Sequence, residues 1–279
     1  MKTNAQAVKD RLKNIVKEKN IEFNTVMRFY MYDRFIERLS ISNYKNNFIL
    51  KGGFYLSTLF GIENRGTMDI DAEINKINLD KEIILKIIEE IIEIDLEDNV
   101  TYKINRIASI RDEDEYGGLR ITIDFNLENI HDSFHIDVAT GEPIYPRPKD
   151  YGYKSIISGR TYKVWAYSIE TVLAEKIETI CSKLGTSSRA KDYYDIYLIN
   201  KVYFDKINKE TFRKAAAKTF KNRNFNSDLV KCLDILKNSS TLKQNWNAYS
   251  RKNNYAKEIE YEDTIKCLEE FIEILVKVY

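Results

Sequence analysis

Two aspartates, Asp69 and Asp71, stand two positions apart in the segment TMDIDAE. They alternate with Met68, Ile70 and Ala72, which predicts a strand, and residues two apart on a strand share a face. Two carboxylates on one face repel each other unless water or a cation relieves them, and an oxygen-only pair suits magnesium. Solvated strand carboxylates are common, so the pair alone is weak evidence. Upstream lies Gly52-Gly53, entered by the apolar run FILK and left by FYLSTLF. Glycine amides at a helix start can approach a phosphate closely. A phosphate-approaching turn, a short helix and a DxD strand make a much rarer combination than any one of them. Thr67, two residues before Asp69, is expected on the same strand face with its hydroxyl by the carboxylates. Lys51, before the glycine pair, reads equally well as a solvated strand-edge lysine.

The segment KGGFYLSTLFGIENRGTMDIDAE resembles the opening motif of the DNA polymerase β-type nucleotidyltransferases, in which a glycine turn, a short helix and a DxD strand follow one another. That resemblance implies a third carboxylate on a later strand. Asp124 in RITIDFN and Asp137 in HIDVATGE both fit. Asp137 is preferred, because a hairpin-like return would bring its strand beside the DxD strand and the turn Ala139-Thr140-Gly141 follows it. Many superfamily members carry serine after the first glycine; Gly53 leaves only backbone amides there. A second block, SIETVLAEKIETICSKLGTSSRAKDYYDIYLI, is similar to the motif of AbiEii/AbiGii-type toxins, the nucleotidyltransferases of type IV toxin–antitoxin systems. The similarity spans roughly residues 24–200.

On a helical wheel Ile169, Leu173, Ile177, Ile180 and Leu184 form an apolar stripe, with Lys176 at its border about 20° from Ile169. A lysine there either snorkels to water or offers a compact positive charge to a triphosphate. Asp192 falls between Ile196 and Ile199, whereas Asp195 turns away from Tyr193 and Tyr197, so Asp192 is read as the inward aspartate. It could pair with Arg189 or Lys191. The family resemblance implies that Lys176 and Asp192 are active-site residues and that Arg189 contacts phosphate. It further implies an NTP substrate, a two-Mg²⁺ site on Asp69, Asp71 and Asp137, and an RNA acceptor, in particular a tRNA 3′ end. The implied biology is growth arrest in abortive phage infection, opposed by a cognate antitoxin that forms no stable complex with the toxin. A small-molecule or protein hydroxyl is the alternative acceptor.

The 279 residues carry 44 basic and 43 acidic side chains. Global charge therefore says nothing about a polyanionic partner, but residues 213–254 hold ten basic and two acidic side chains. With Phe225, Trp246 and Tyr249 available for stacking, that window suits an RNA backbone. It reads equally well as a solvated helical face. Residues 80–98 run the other way, with eight acidic and two basic. The two histidines exclude a multi-histidine metal centre, and Cys181, Cys232 and Cys267 make neither a metal pattern nor a disulfide framework. No apolar stretch approaches the ~20 residues of a membrane span. A cytoplasmic, reduced protein without a membrane partner is expected.

The elements that must position these residues follow from periodicity. Helices are expected over 4–19, 24–42 (capped by Asn24), 54–60, 80–98, 169–184, 190–201, 209–221, 227–238 and 258–278. Strands are expected over 48–51, 68–74, 100–110, 119–127, 134–140 and 160–167, the last four as an antiparallel meander with a turn at Gly117-Gly118. The segment PIYPRPKDYGY, with all three prolines, reads as a loop. The fold class is α+β: a nucleotidyltransferase-like domain over 1–167, then a helical domain over 168–279.

Overall fold

The computed structural model describes residues 4–110, 117–184 and 189–277. The chain divides into two compact units, residues 1–142 with 149–166, and residues 143–148 with 167–279. The first is a mixed sheet with helices and the second is helical, so the fold is α+β.

In the first unit, helix α1 (Ala5–Lys19) is capped by the Asn4 side chain and closed by Asn20 in the left-handed conformation. Helix α2 (Phe23–Ile41) is buried on most of its sides, through Val26, Met27, Phe29, Met31, Phe35 and Leu39 among others, as befits a helix packed within a core. It starts one residue before the expected cap. Glu22 holds the cap position without a side-chain bond, and Asn24 lies in the first turn. Strand β1 (Phe48–Leu50) leads into helix α3 (Gly52–Phe60), and strand β2 (Asp69–Ile74) follows. Helix α4 (Lys81–Ile92) is capped by Asp80 and stops short of the expected 98. The following residues turn instead through Glu97 and Asn99, both with positive φ. That turn delivers Asp98 to Arg38, which grips it with two bonds of 2.9 Å.

Strands β3 (Val100–Ile110), β4 (Gly118–Leu127) and β5 (Ile130–Ala139) form the expected antiparallel meander. The residues joining β3 to the Gly117-Gly118 position lie outside the described residues. Strands β6 (Lys149–Lys154) and β7 (Thr161–Ala166) form a hairpin of their own. Two expectations are corrected here. Residues 149–154, read as loop, are a strand, and the 160–167 strand does not extend the meander. It pairs in parallel with β1, on the far side of β2. Both edges of β5 are taken, by β4 and β2, so β7 cannot extend the meander there.

The seven strands run in the order β3-β4-β5-β2-β1-β7-β6. The central pairs decide the site: β2 runs antiparallel to β1 and parallel to β5. One face of the sheet packs on an aromatic core. Tyr32 meets Phe29, Phe54 and Phe134 within it, with ring centroids 5.3–5.5 Å apart.

The second unit contains α5 (Ile169–Ser182), α6 (Ala190–Tyr203), α7 (Lys209–Asn222), α8 (Leu229–Lys237), α9 (Ser240–Lys252) and α10 (Tyr261–Val276). Helix α9 was not expected. Its mean hydropathy is low, and only Leu242, Trp246 and Ser250, four apart, are buried. Residue 278, the expected end of α10, lies outside the described residues. Among the described residues no helix is long and apolar enough to cross a membrane.

Candidate active site

Parallel pairing of β2 with β5 sets Asp71 beside Asp137 and Asp69 beside His135. Neighbouring strands are about 4.8 Å apart. Because side chains alternate, Asp69, Asp71, His135 and Asp137 all occupy the same face, with Ile70, Ala72, Ile136 and Val138 buried on the other. Pairing of β5 with β4 adds Arg120 opposite Asp137 and Thr122 opposite His135. Asp124 belongs to that face too, but its register partner is Ser133 and its carboxylate takes Asn105 Nδ2 at 3.0 Å. It stands four residues along β4 from the Arg120–Asp137 line, roughly 13 Å at strand rise. Of the two candidate third carboxylates, Asp137 is the one next to Asp71.

The glycine turn lies against these carboxylates. Gly52 has φ +58°, and a Cβ there would meet Asp71 Oδ2 at 2.7 Å, so no other residue fits without displacing the aspartate. The Asp71 carboxylate accepts from the Gly53 amide at 3.0 Å and the Phe54 amide at 3.4 Å, at the N-terminus of α3. These amides, expected to face phosphate, are therefore engaged by the nearest anion, as the helix dipole favours. Its enclosed position, with Asp137 and Asp69 near it, raises the Asp71 carboxyl above the usual carboxylate range. A Cβ on Gly53 would meet Arg65 Nη2 at 2.9 Å and Thr67 Oγ1 at 3.3 Å. The space a serine side chain would take is already filled. Thr67 lies just before β2, and its hydroxyl donates to the Asp69 carbonyl at 3.3 Å. Lys51 is not solvated. It is buried and pairs with buried Glu73 at 2.6 Å, and Glu73 also accepts from the Glu142 amide.

In the helical unit, Lys176 of α5 donates to Asp192 and Asp195 of α6, both at 2.7 Å. Arg189 lies 3.4 Å from the other Asp192 oxygen. The reading of Asp195 as outward is corrected: it is fully buried, while the Asp192 side chain keeps 14% of its surface. Aspartates three apart share a helix face, and an ammonium reaching in from α5 lets the deeper one be buried while charged.

The profile of the nucleotidyl transferase AbiEii toxin family, type IV toxin–antitoxin system, matches residues 34–267. The chain belongs to that family. Membership makes it a nucleotidyltransferase and implies a cognate antitoxin. Comparison with curated protein sequences gives no match. Among solved structures, the fold is similar to MenT4, a nucleotidyltransferase toxin from Mycobacterium tuberculosis H37Rv. The TM-score is 0.57 at 13% identity, over 95% of this chain and 99% of that one. It is also similar to JHP933 from Helicobacter pylori, with a TM-score of 0.55 at 15% identity, over 91% and 93% of the two chains.

AbiEii-family chemistry calls for a divalent metal and an NTP. Among the described residues no three His, Cys, Asp or Glu side chains converge closely enough to hold a metal as they stand. The donor set nonetheless fits one. All three carboxylates offer hard oxygens from adjacent strands, burial and then the neighbouring Asp137 and Asp69 raise the Asp71 carboxyl, and the Arg120 guanidinium already stands among them as a cation. The sequence does not single out Arg120, His135 or Arg65. Alternation along LRITIDFN places Arg120 on the Asp124 face, but only the β4–β5 register reveals that it meets Asp137.

The basic window changes character in three dimensions. Lys214, Arg223, Lys237 and Lys243 bond to Glu210, Glu178, Glu269 and Glu262, all outside the window. Arg213 donates to the carbonyls of Ile274 and Lys277. Trp246 is buried, its indole N–H on the Ile259 carbonyl, and so is no stacking platform.

Proposed function

We propose that this AbiEii-family protein transfers a nucleotide monophosphate from an NTP to the hydroxyl of an RNA, a tRNA 3′ end in particular, in a Mg²⁺-dependent reaction. The observation that carries the reading is the line of Asp71 and Asp137 in register, with Asp69 on the same face and a glycine turn against them. Asp69, Asp71 and Asp137 would hold the metal, which supplies acidification of the attacking hydroxyl and charge neutralisation on the leaving pyrophosphate. The chain's own residues do the rest. Gly52 lets Asp71 and the α3 start approach each other. Thr67 and the Gly52-Gly53 turn border the nucleotide. Lys176, held between Asp192 and Asp195, and Arg189 serve the nucleotide's phosphates. The protein acts in the cytoplasm, arrests growth during phage infection and is opposed by its antitoxin without a stable complex.

The paired state of the basic window favours a second reading, with a small-molecule or protein hydroxyl as acceptor. The test is incubation with each labelled NTP, Mg²⁺ and total RNA beside cell protein and metabolite extracts. Label in a tRNA band supports the first reading. Label in protein or a small molecule alone supports the second.

A further inference from the structure

Arg120, Asp137 and Asp71 lie on one line across three strands. The Arg120 guanidinium takes both oxygens of Asp137, Nε to Oδ1 at 2.8 Å and Nη2 to Oδ2 at 2.7 Å. Its Nη2 also stands 3.5 Å from Asp69 Oδ2. One rigid fork thus engages two of the three carboxylates assigned above to the metal, in the planar bidentate geometry that arginine makes best. The field of Asp137, Asp69 and Asp71 holds the guanidinium charge firmly. Yet the Arg120 side chain keeps 40% of its surface, against 15% for Asp137. It can swing to water without crossing the core.

A divalent ion needs the same carboxylate oxygens. From this we propose that Arg120 is a positioning residue that competes with the metal for Asp137 and Asp69, and so couples metal binding to nucleotide binding. Metal alone must displace the guanidinium into water. Metal arriving with a nucleoside triphosphate displaces it onto a phosphate, which replaces the partner it gives up. Binding of the two is then mutually strengthening, and linkage makes the effect equal in both directions. The proposal rests on the metal reading of the three carboxylates.

The test is Mn²⁺ affinity, by electron paramagnetic resonance of the free ion, with and without a non-hydrolysable NTP analogue. It is run on wild type, Arg120→Gln, Arg120→Lys and Asp71→Asn, each shown to be folded by circular dichroism. Arg120→Gln is expected to bind Mn²⁺ alone about tenfold tighter, the equivalent of one bidentate charged pair no longer displaced. The analogue should tighten Mn²⁺ binding in wild type and much less in Arg120→Gln. Arg120→Lys, with a charge but no fork, should fall between them. Equal or weaker Mn²⁺ binding by Arg120→Gln, or coupling undiminished, overturns the proposal while leaving the metal site standing. Mn²⁺ binding that is undetectable in wild type and Arg120→Gln even with the analogue, or unchanged in Asp71→Asn, overturns the metal reading itself.

Discussion

Side chains of one chemical type play different parts here because of the company they keep. Asp71, Asp137 and Asp124 are all strand aspartates on one sheet face, yet Asp71 accepts from a helix start, Asp137 sits in an arginine fork and Asp124 holds an asparagine amide. Asp71→Asn and Asp137→Asn should each lower nucleotidyl transfer about a thousandfold, the effect of roughly 4 kcal/mol of lost transition-state stabilisation. Asp124→Asn should stay near wild-type turnover. Loss of activity in Asp124→Asn with retention in Asp137→Asn would reverse the choice of third carboxylate. Lys176 is a second case. Its side chain is 11% exposed and stands between two aspartates, one fully buried. Lys176→Ala leaves those carboxylates facing each other and should destabilise the fold by about 3 kcal/mol or more, as removal of one member of a buried ion pair does. Adding Asp195→Asn should recover much of that loss. Chemical denaturation reads both, and an unchanged midpoint in the single variant would show the lysine to be dispensable to the fold.

At the level of elements, the sheet's outer hairpin is tied to α2 through one buried carboxylate. Asp33 of α2 is fully buried and accepts from the Tyr153 hydroxyl, from Ser155 Oγ at 2.6 Å and from the Ile157 amide at 3.4 Å. Burial pushes its carboxyl up from 3.8 to about 6, against the lowering effect of those donors and of Arg34. A raised folded value means that the native state holds the proton more tightly than the unfolded chain. The contribution is thus fully present below the unfolded value and lost as pH rises through about 6. A shift of this size corresponds to about 3 kcal/mol. Between pH 4 and pH 7, wild type should therefore lose about 2.4 kcal/mol relative to Asp33→Asn, which cannot ionise. Urea denaturation of both proteins across that range measures the difference, and parallel pH profiles would sink the assignment.

For the whole molecule, family membership implies toxicity, and the carboxylate face ties toxicity to chemistry. Wild type expressed alone from an inducible promoter should arrest growth, and Asp69→Ala should not, at equal protein levels. Arrest by both would separate toxicity from transfer. The charge distribution acts at this scale as well. A window that is strongly basic along the chain is interleaved in space with Glu178, Glu210, Glu262 and Glu269. Those four glutamates halve the window's excess of positive charge, and an RNA surface has to be sought by measurement of salt-dependent binding rather than from the window's count.

Local pattern alone carried much of this protein. The apolar periods of α2, α4 and α5, the alternation in β2 to β5, and the glycine turn ahead of DIDAE are each written within a dozen residues. Those short-range signals were enough for the α+β class and for the aspartates of β2. What lay beyond the sequence was decided by pairing between distant segments. The parallel β2–β5 register set Asp137 rather than Asp124 beside Asp71, the β4–β5 register delivered Arg120 to Asp137, and α5 against α6 buried Asp195. The strand at 149–154 depended on its hairpin partner β7, and the place of β7 on β1, a partner more than a hundred residues away. A side chain's face follows from its own strand or helix, but which charge it meets depends on which strand or helix lies alongside. Only the folded sheet and helix packing settle that.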